Sequence, residues 1–351
     1  MKIGIDASLA ASKSKTGVEN YVYEITKRLG QFSRSEIILY TNLKLGEKIE
    51  NTTEKNIPFF KFWRSLRLPL ALLSDKPDVF FEPANFLPWF APKNSVVTVH
   101  DLAVKRYPSA YSFFARMRLN YFYGHTSKHA KKIIVVSETT KNDMIMYYPE
   151  SKEKIEVIYP SYNQIFNNDK KTTSPMKDKY ILFVGRLEAR KNIKNIVLAF
   201  EKFKAEHKLS HKLILVGNPG YGYTDAKSLI ENNPDIILAG HKNATELVSY
   251  YKNADCLLYP SLYEGFGMPI LESMACATPV IVSNDKWARE VGGEAGYYVE
   301  SSSVSEIASA IGVLTTDHYI HDQYAQKGLK NVQRFSWDKS VKEIVKLLEA
   351  F

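Results

Sequence analysis

Two glutamates, Glu264 and Glu272, stand eight positions apart in the run YPSLYEGFGMPILESMACATPVIVSN, residues 259–284. Between them lie Gly265, Phe266, Gly267, Met268 and Pro269. The first acid sits in a glycine turn and the second inside a helix-like run, so the pair can reach opposite ends of one extended ligand. The glycines permit close backbone approach, and a helix start favours an anion. A second constellation is VGRLEARKN, residues 184–192. An apolar strand ends there at Gly185, and Arg186, Arg190 and Lys191 fill the turn before a helix starting at Asn192. Arginine can grip an anion bidentately and lysine acts as a point charge; with a helix N-terminus they make a diphosphate clamp, against the plainer reading of a solvated basic turn. A third is His100-Asp101, which closes the strand SVVTVH. Such a polar pair points into a crevice, although a lone histidine is more often structural. Gly17, in KSKTGVENYVYEITKRL, follows a Ser/Lys loop and opens a helix, where a backbone N–H can face a phosphate. Taken alone it is only a helix start.

Such residues need elements that hold them. The rhythm of the chain is a short β-branched run and then a longer amphipathic one, repeated, which means parallel sheets covered by helices. Strands are expected at 2–6, 36–40, 78–82, 95–100, 132–137 and 156–159, and again at 180–185, 212–217, 235–239, 255–259, 279–282 and 296–299. Helices are expected at 18–29, 64–73, 112–129 and 138–147, then at 192–206, 225–231, 244–253, 268–276 and 304–314. About a dozen strands exceed one comfortable sheet of this kind. The fold class is therefore α/β, with two doubly wound, parallel-sheet, Rossmann-like domains facing a central cleft. The polar stretch NNDKKTTSPMKDK, 167–179, is the expected linker between an N-terminal domain 1–166 and a C-terminal domain 180–334. The last segment, 335–351, reads as an amphipathic helix capped by Ser336, with Val341, Ile344, Val345, Leu347 and Leu348 as its apolar positions. In open parallel sheets the loops after the strands lie at the carboxyl edge, where ligands bind.

Composition narrows the classes. The 351 residues are 45% hydrophobic and 24% charged, enough for two sizeable cores. Only Cys256 and Cys276 are present, without metal-ligand spacing, which argues against a disulfide scaffold or a zinc site and for two buried thiols. MKIGIDAS reads as a strand at once and no apolar run is long enough to span a bilayer, so a cytoplasmic protein is expected. The net charge of +9 leaves nucleic acid, an anionic membrane and phosphate-bearing small molecules open as partners. From Phe86 to Ser137 the only acid is Asp101, while Lys105, Arg106, Arg116, Arg118, Lys128, Lys131 and Lys132 alternate with aromatics, after the equally basic and apolar FFKFWRSLRLPL at 59–70. Cations beside aromatics suit a lipid headgroup layer or nucleic acid; core aromatics under a basic surface read the same way. There is no Gly-x-Gly-x-x-Gly after the first strand, no P-loop, no G-x-S-x-G and no Asp-x-Asp to hold Mg²⁺ on a diphosphate.

On these residues the chain resembles the retaining, group 1 glycosyltransferases of family 4, which have the GT-B fold. EGFGMPILE, 264–272, looks like that family's two glutamates separated by seven residues. VGRLEARKN with the following NIVLAF looks like its diphosphate turn, and IGIDAS, GVENYVYE, TVHDL, IIVVSETTKNDM and the closing FSW also fit. The resemblance spans nearly the whole chain. It implies transfer of a sugar, with retention, from a nucleoside-diphosphate sugar, of GDP-mannose type ahead of a UDP-sugar. The implied acceptor is a saccharide or lipid-linked saccharide in cell-surface polysaccharide or glycan assembly. Arg186 and Lys191 would hold the diphosphate, Glu272 the ribose hydroxyls and Glu264 the donor sugar. The backbone of Gly17 would pack against the phosphates, His100 would lie near the transferred sugar, and the amides around Gly265–Pro269 would face the donor. His100, Glu264, Arg186 and Lys191 form the implied catalytic set, and Glu290 is placed near the donor pocket. The implied enzyme needs no cofactor and no metal, has no nucleic-acid partner, and works in the cytoplasm, at the inner membrane face if the basic region docks on anionic lipid. Two departures are Ser161-Tyr162-Asn163, where many relatives carry a Gly-Val-Asp turn, and Arg289, where the family often has proline. A nucleotide-sugar epimerase or a sugar phosphorylase on the same fold is the alternative.

Overall fold

The structure, a computed structural model, describes residues 1–12, 15–58, 62–167 and 172–351. Four residues of the expected linker (168–171), two of the loop before Gly17 (13–14) and the start of the 59–70 segment (59–61) lie outside that set. The chain forms two compact units. One comprises Met1–Lys105, Phe113–Ser161 and Phe335–Phe351, the other Arg106–Ser112 and Tyr162–Arg334.

The first unit holds β1 (Lys2–Asp6), β2 (Glu36–Thr41), β3 (Thr52–Asn56), β4 (Val79–Glu82), β5 (Ser95–Val99), β6 (Lys132–Val135) and β7 (Ile155–Val157). They form one parallel sheet in the order β3-β2-β1-β4-β5-β6-β7. Its inner strands are near-continuous apolar runs because helices cover both faces; Ile3, Ile5, Leu39, Phe80, Phe81, Val97 and Ile133 are fully buried. β3 falls where the sequence pattern predicts no strand. Its residues, TTEKN, are polar because it is an edge strand with one paired neighbour, where charge discourages further pairing. The helix expected at 64–73 opens with a π-helical turn, Trp63–Arg67, before the α-helix Leu68–Asp75, which carries Pro69 in its first turn. The terminal helix Trp337–Leu348 is capped by Ser336, whose Oγ accepts from the Lys339 amide at 3.4 Å. It buries Trp337, Val341, Ile344 and Leu348 and packs against the Gly17–Phe32 helix, with the Trp337 ring edge-on to Tyr21 and Arg28 bonded to Asp338 at 3.2 Å.

The second unit holds β8 (Tyr180–Val184), β9 (Lys212–Val216), β10 (Ile236–Gly240), β11 (Cys256–Tyr259), β12 (Val280–Ser283) and β13 (Gly296–Val299). The sheet is again parallel, in the order β10-β9-β8-β11-β12-β13. Each of these strands lies within a residue of its expected place. Two helices were not foreseen. Lys286–Gly292 is short, and His318–Asn331 is largely polar and begins at an Asp317 cap whose Oδ1 accepts from the Ile320 amide at 3.0 Å. Cys256 and Cys276 are buried free thiols. In each sheet the strand order reverses once, between β1 and β4 and between β8 and β11. Those reversals open the crevices in which such sheets bind ligands.

Candidate active site

The turn after β8 is shaped by its backbone. Gly185 has φ of +149° and Gly217, at the end of β9, has φ of +141°. A Cβ on Gly217 would fall 2.0 Å from the Gly185 carbonyl oxygen, so these strand ends touch main chain to main chain. Arg186 follows with its side chain 68% exposed, 3.6 Å from Glu188. Ala189–Lys191 makes one 3-10 turn, and Asn192 adopts a left-handed backbone (φ +63°). The helix therefore starts at Ile193, one residue later than expected. The Asn192 amide is used as a tie, donating to the carbonyls of Pro260 (3.1 Å) and Ser301 (2.6 Å), which joins the turns after β8, β11 and β13.

These ties bring a buried charge cluster together at the β8/β11 reversal. Lys191 Nζ forms an ion pair with Glu264 Oε1 and donates to the Tyr259 hydroxyl at 2.7 Å. That hydroxyl donates to the same Glu264 oxygen at 2.9 Å, and Arg190 Nη1 reaches Glu264 Oε2 at 3.0 Å. Arg190 also donates to Glu188 (3.0 Å) and to the Tyr263 carbonyl (3.2 Å). Tyr107 donates its hydroxyl to the Leu262 carbonyl at 2.9 Å and so braces the same loop. Burial pushes the Glu264 carboxyl up, but Lys191 and Arg190 outweigh it and hold the pKa down at about 2. Burial lowers the Lys191 ammonium, opposed by Glu264. Arg186, Arg190 and Lys191 face Glu188 and Glu264, which leaves one positive charge in excess, and the cation carrying it to solvent is Arg186.

Beyond Glu264, the buried Gly265 and Phe266 lead to Gly267 (φ +95°), where a Cβ would press on the Trp287 ring at 3.0 Å. The helix Met268–Ala275 starts there, with Pro269 in its first turn. Glu272, one turn further in, is buried and accepts from the Tyr251 hydroxyl at 2.8 Å. Burial raises its pKa to about 7, with Tyr251 pulling it back. Both glutamates act on the Tyr259 hydroxyl, whose pKa burial and then Glu264 drive upward, with Glu272 adding to them. Ser261 Oγ and Trp287 Nε1 are buried beside this loop without a hydrogen-bond partner among the described residues.

Other expected residues lie elsewhere. Glu290 sits half-buried on the Lys286–Gly292 helix, its carbonyl accepting from Arg334 at 3.1 Å. Gly17 and His100 belong to the first unit. Gly17 is the exposed first residue of its helix, behind a capping box in which the Thr16 amide donates to Glu19 at 3.1 Å. His100 follows β5, and its Nε2 lies 2.9 Å from the Pro83 carbonyl. A carbonyl can only accept, so Nε2 carries the hydrogen and Nδ1 of the neutral ring is the acceptor. Burial lowers the His100 pKa and favours that neutral ring. At the β1/β4 reversal a cluster absent from the sequence reading joins Arg64 to Glu82 (2.9 Å) and Asp6 (3.6 Å), with Trp63 Nε1 3.4 Å from Asp6.

Residues 15–163 match the Glycosyltransferase Family 4 model, and residues 164–331 match Glycosyl transferases group 1. The chain belongs to the group 1, family 4 glycosyltransferases. It is 26% identical to the O-antigen chain mannosyltransferase B of Escherichia coli, over 94% of this chain and 95% of that one. Among solved structures, the sucrose-phosphate synthase of Thermosynechococcus elongatus superposes with a TM-score of 0.78 at 19% identity, covering 99% of this chain and 98% of that one. The Anabaena Alr3699/HepE structure in complex with UDP-glucose gives 0.75 at 17% identity over 100% of both chains. The fold is thus GT-B. Among the described residues of this glycosyltransferase, no helix is long and apolar enough to cross a membrane.

Arg186, Lys191, Glu264, Gly265–Pro269 and Glu272 are therefore gathered at one sheet edge of the glycosyltransferase. What the sequence reading missed is the role of Arg190 as a second partner of Glu264 and the two tyrosine hydroxyls that hold the acids. A buried tyrosine needs a partner for its hydroxyl, and a tyrosine closing an apolar strand beside an acidic loop was the available signal. The glycine contact yields a prediction. Gly217→Ala is expected to lower stability by about 2 kcal/mol or more, because it strains φ and drives a methyl into the Gly185 backbone. Thermal denaturation checks this, and an unchanged midpoint would show that the turn yields freely.

Proposed function

We propose that this glycosyltransferase moves a hexose from a nucleoside-diphosphate sugar to a saccharide or lipid-linked saccharide acceptor during cell-surface polysaccharide assembly, with retention at the anomeric carbon and without a metal. The observation that carries the reading is the β8/β11 cluster, where Glu264 is held ionised while Arg186 remains exposed with the surplus positive charge. The name of the E. coli relative favours mannose as the sugar, and the UDP-glucose in the Anabaena structure supports a nucleoside-diphosphate donor in general terms. We favour the GDP-mannose type. In this reading the donor occupies residues 180–334 and the acceptor residues 1–166. Arg186 and Lys191 take the diphosphate, the amides at the start of Met268–Ala275 add partial positive charge, Glu272 accepts from the ribose hydroxyls and Glu264 faces the sugar. The backbone of Gly17 approaches the phosphates and His100 lies beside the transferred sugar.

Cleavage sends the anomeric C–O electron pair to the diphosphate and leaves positive charge on the ring. Fixed cations and helix-start amides stabilise the first, and a carboxylate with pKa near 2 suits the second. The acceptor oxygen bonds to the anomeric carbon on the face that the phosphate leaves, and its proton passes to the departing phosphate oxygen. A thermal-shift panel of GDP, UDP, GDP-mannose and UDP-glucose tests the donor, because a ligand that binds only the folded state raises Tm. Stabilisation by GDP-mannose, followed by an α-linked product on an added saccharide, is expected. An altered sugar formed from donor alone would instead identify an epimerase.

A further inference from the structure

The helix Phe113–His129 faces inward with Tyr123, Thr126 and Ser127, as a helix covering a sheet should. Its outer face is the anomaly. Phe113, Phe114, Met117 and Tyr121 are all exposed, Phe114 to 77%. At the helical repeat they fall within roughly a third of the helix circumference and form one row. Trp89 lies on Tyr121 with ring centroids 5.1 Å apart and planes at 26°, and Phe90 beside it in sequence is also exposed. Arg116 and Arg118 flank the row on opposite sides and Lys128 continues it; all three are exposed. No acidic residue occurs between Asp101 and Glu138.

We propose that this face docks on an anionic lipid bilayer, with the aromatic row in the headgroup layer and the cations against lipid phosphates. A face that presents Tyr and Phe from the helix and Trp89 stacked on Tyr121, between basic residues, matches the membrane interface, where amphipathic rings settle and cations find counter-charge. A second copy of the chain fits worse, since a two-fold contact would set arginine against arginine. The surface lies within the first unit and uses none of the residues assigned to the donor. Docking can therefore fail while the proposed activity stands, and the reverse holds too.

The test is co-sedimentation of the full chain with phosphatidylcholine vesicles, with and without phosphatidylglycerol. Binding is expected only to the anionic vesicles and is expected to weaken with salt. Phe114→Ser with Met117→Ser should lower the partition coefficient roughly tenfold or more. Arg116→Gln with Arg118→Gln should lower it about 25-fold, at roughly fivefold per cation. Unchanged Tm values and an unchanged Tm response to nucleotide would assign these losses to the surface. Equal pelleting with neutral vesicles, or variants that pellet like the parent, overturns the proposal. So does a loss seen only in self-association or in oligonucleotide binding, which would identify the other occupants.

Discussion

Lys191→Met is expected to reduce the rate of sugar transfer by about 10³-fold and to destabilise the protein by about 3 kcal/mol. The two losses have different origins. Lys191 is buried with Glu264, and removing the ammonium leaves an ionised carboxylate in the interior with Arg190 as its remaining cation, at 3.0 Å. Breaking one side of a buried pair strands the other charge, while removing both is much milder. The double variant Lys191→Met with Glu264→Gln should therefore recover most of the lost Tm and none of the activity. Thermal melts and initial rates on the parent, both single variants and the double variant complete the cycle. A double variant no more stable than Lys191→Met would mean that the pair does not carry the stability assigned to it. Recovered activity would mean that neither group takes part in transfer.

Glu272→Gln is expected to weaken donor binding by up to about 100-fold, the scale of a charge-assisted hydrogen bond, and to stabilise the free protein above neutral pH. Burial raises the Glu272 pKa from the usual 4.5 to about 7. Between those values the folded chain keeps a proton that the unfolded chain has released, so wild-type stability falls as pH rises through the window. The whole interval corresponds to about 3 kcal/mol. Glutamine does not titrate and can still accept from Tyr251. The Tm advantage of the variant should accordingly be near zero at pH 4.5 and grow toward pH 8. Parallel Tm–pH curves for variant and parent would show that Glu272 holds no proton in the free protein. The same titration tests the proposed role of Glu272 toward the ribose: hydroxyls are best accepted by the ionised form, so on that proposal donor affinity should decline as pH drops below 7.

The strand–helix rhythm was readable because strands buried on both faces, such as YILFV at 180–184, carry their burial in their composition. The edge strand TTEKN escaped because an edge needs the opposite composition. Glu264, Glu272 and the basic turn were visible as a spaced motif, since loops at the carboxyl edge of such a sheet concentrate binding residues. Their division of labour was not. Spacing treats Arg186, Arg190 and Lys191 as equivalent cations, whereas burial separates an exposed Arg186 from two partners of Glu264. Likewise the tautomer of His100 is set by the Pro83 carbonyl, seventeen residues away in the chain, and no local pattern encodes it.

The placement of Arg106–Ser112 within the second unit matters for how such proteins can be recombined. The chain passes from one unit to the other after Lys105, Ser112, Ser161 and Arg334. A chimera that trades donor specificity by one crossover near residue 167 would separate Tyr107 from the Leu262 carbonyl it was selected with, and would bring in a foreign terminal helix to lie on Gly17–Phe32. Exchangeable modules are therefore discontinuous here. A graft of the second unit should carry Arg106–Ser112 with it and leave Phe335–Phe351 behind.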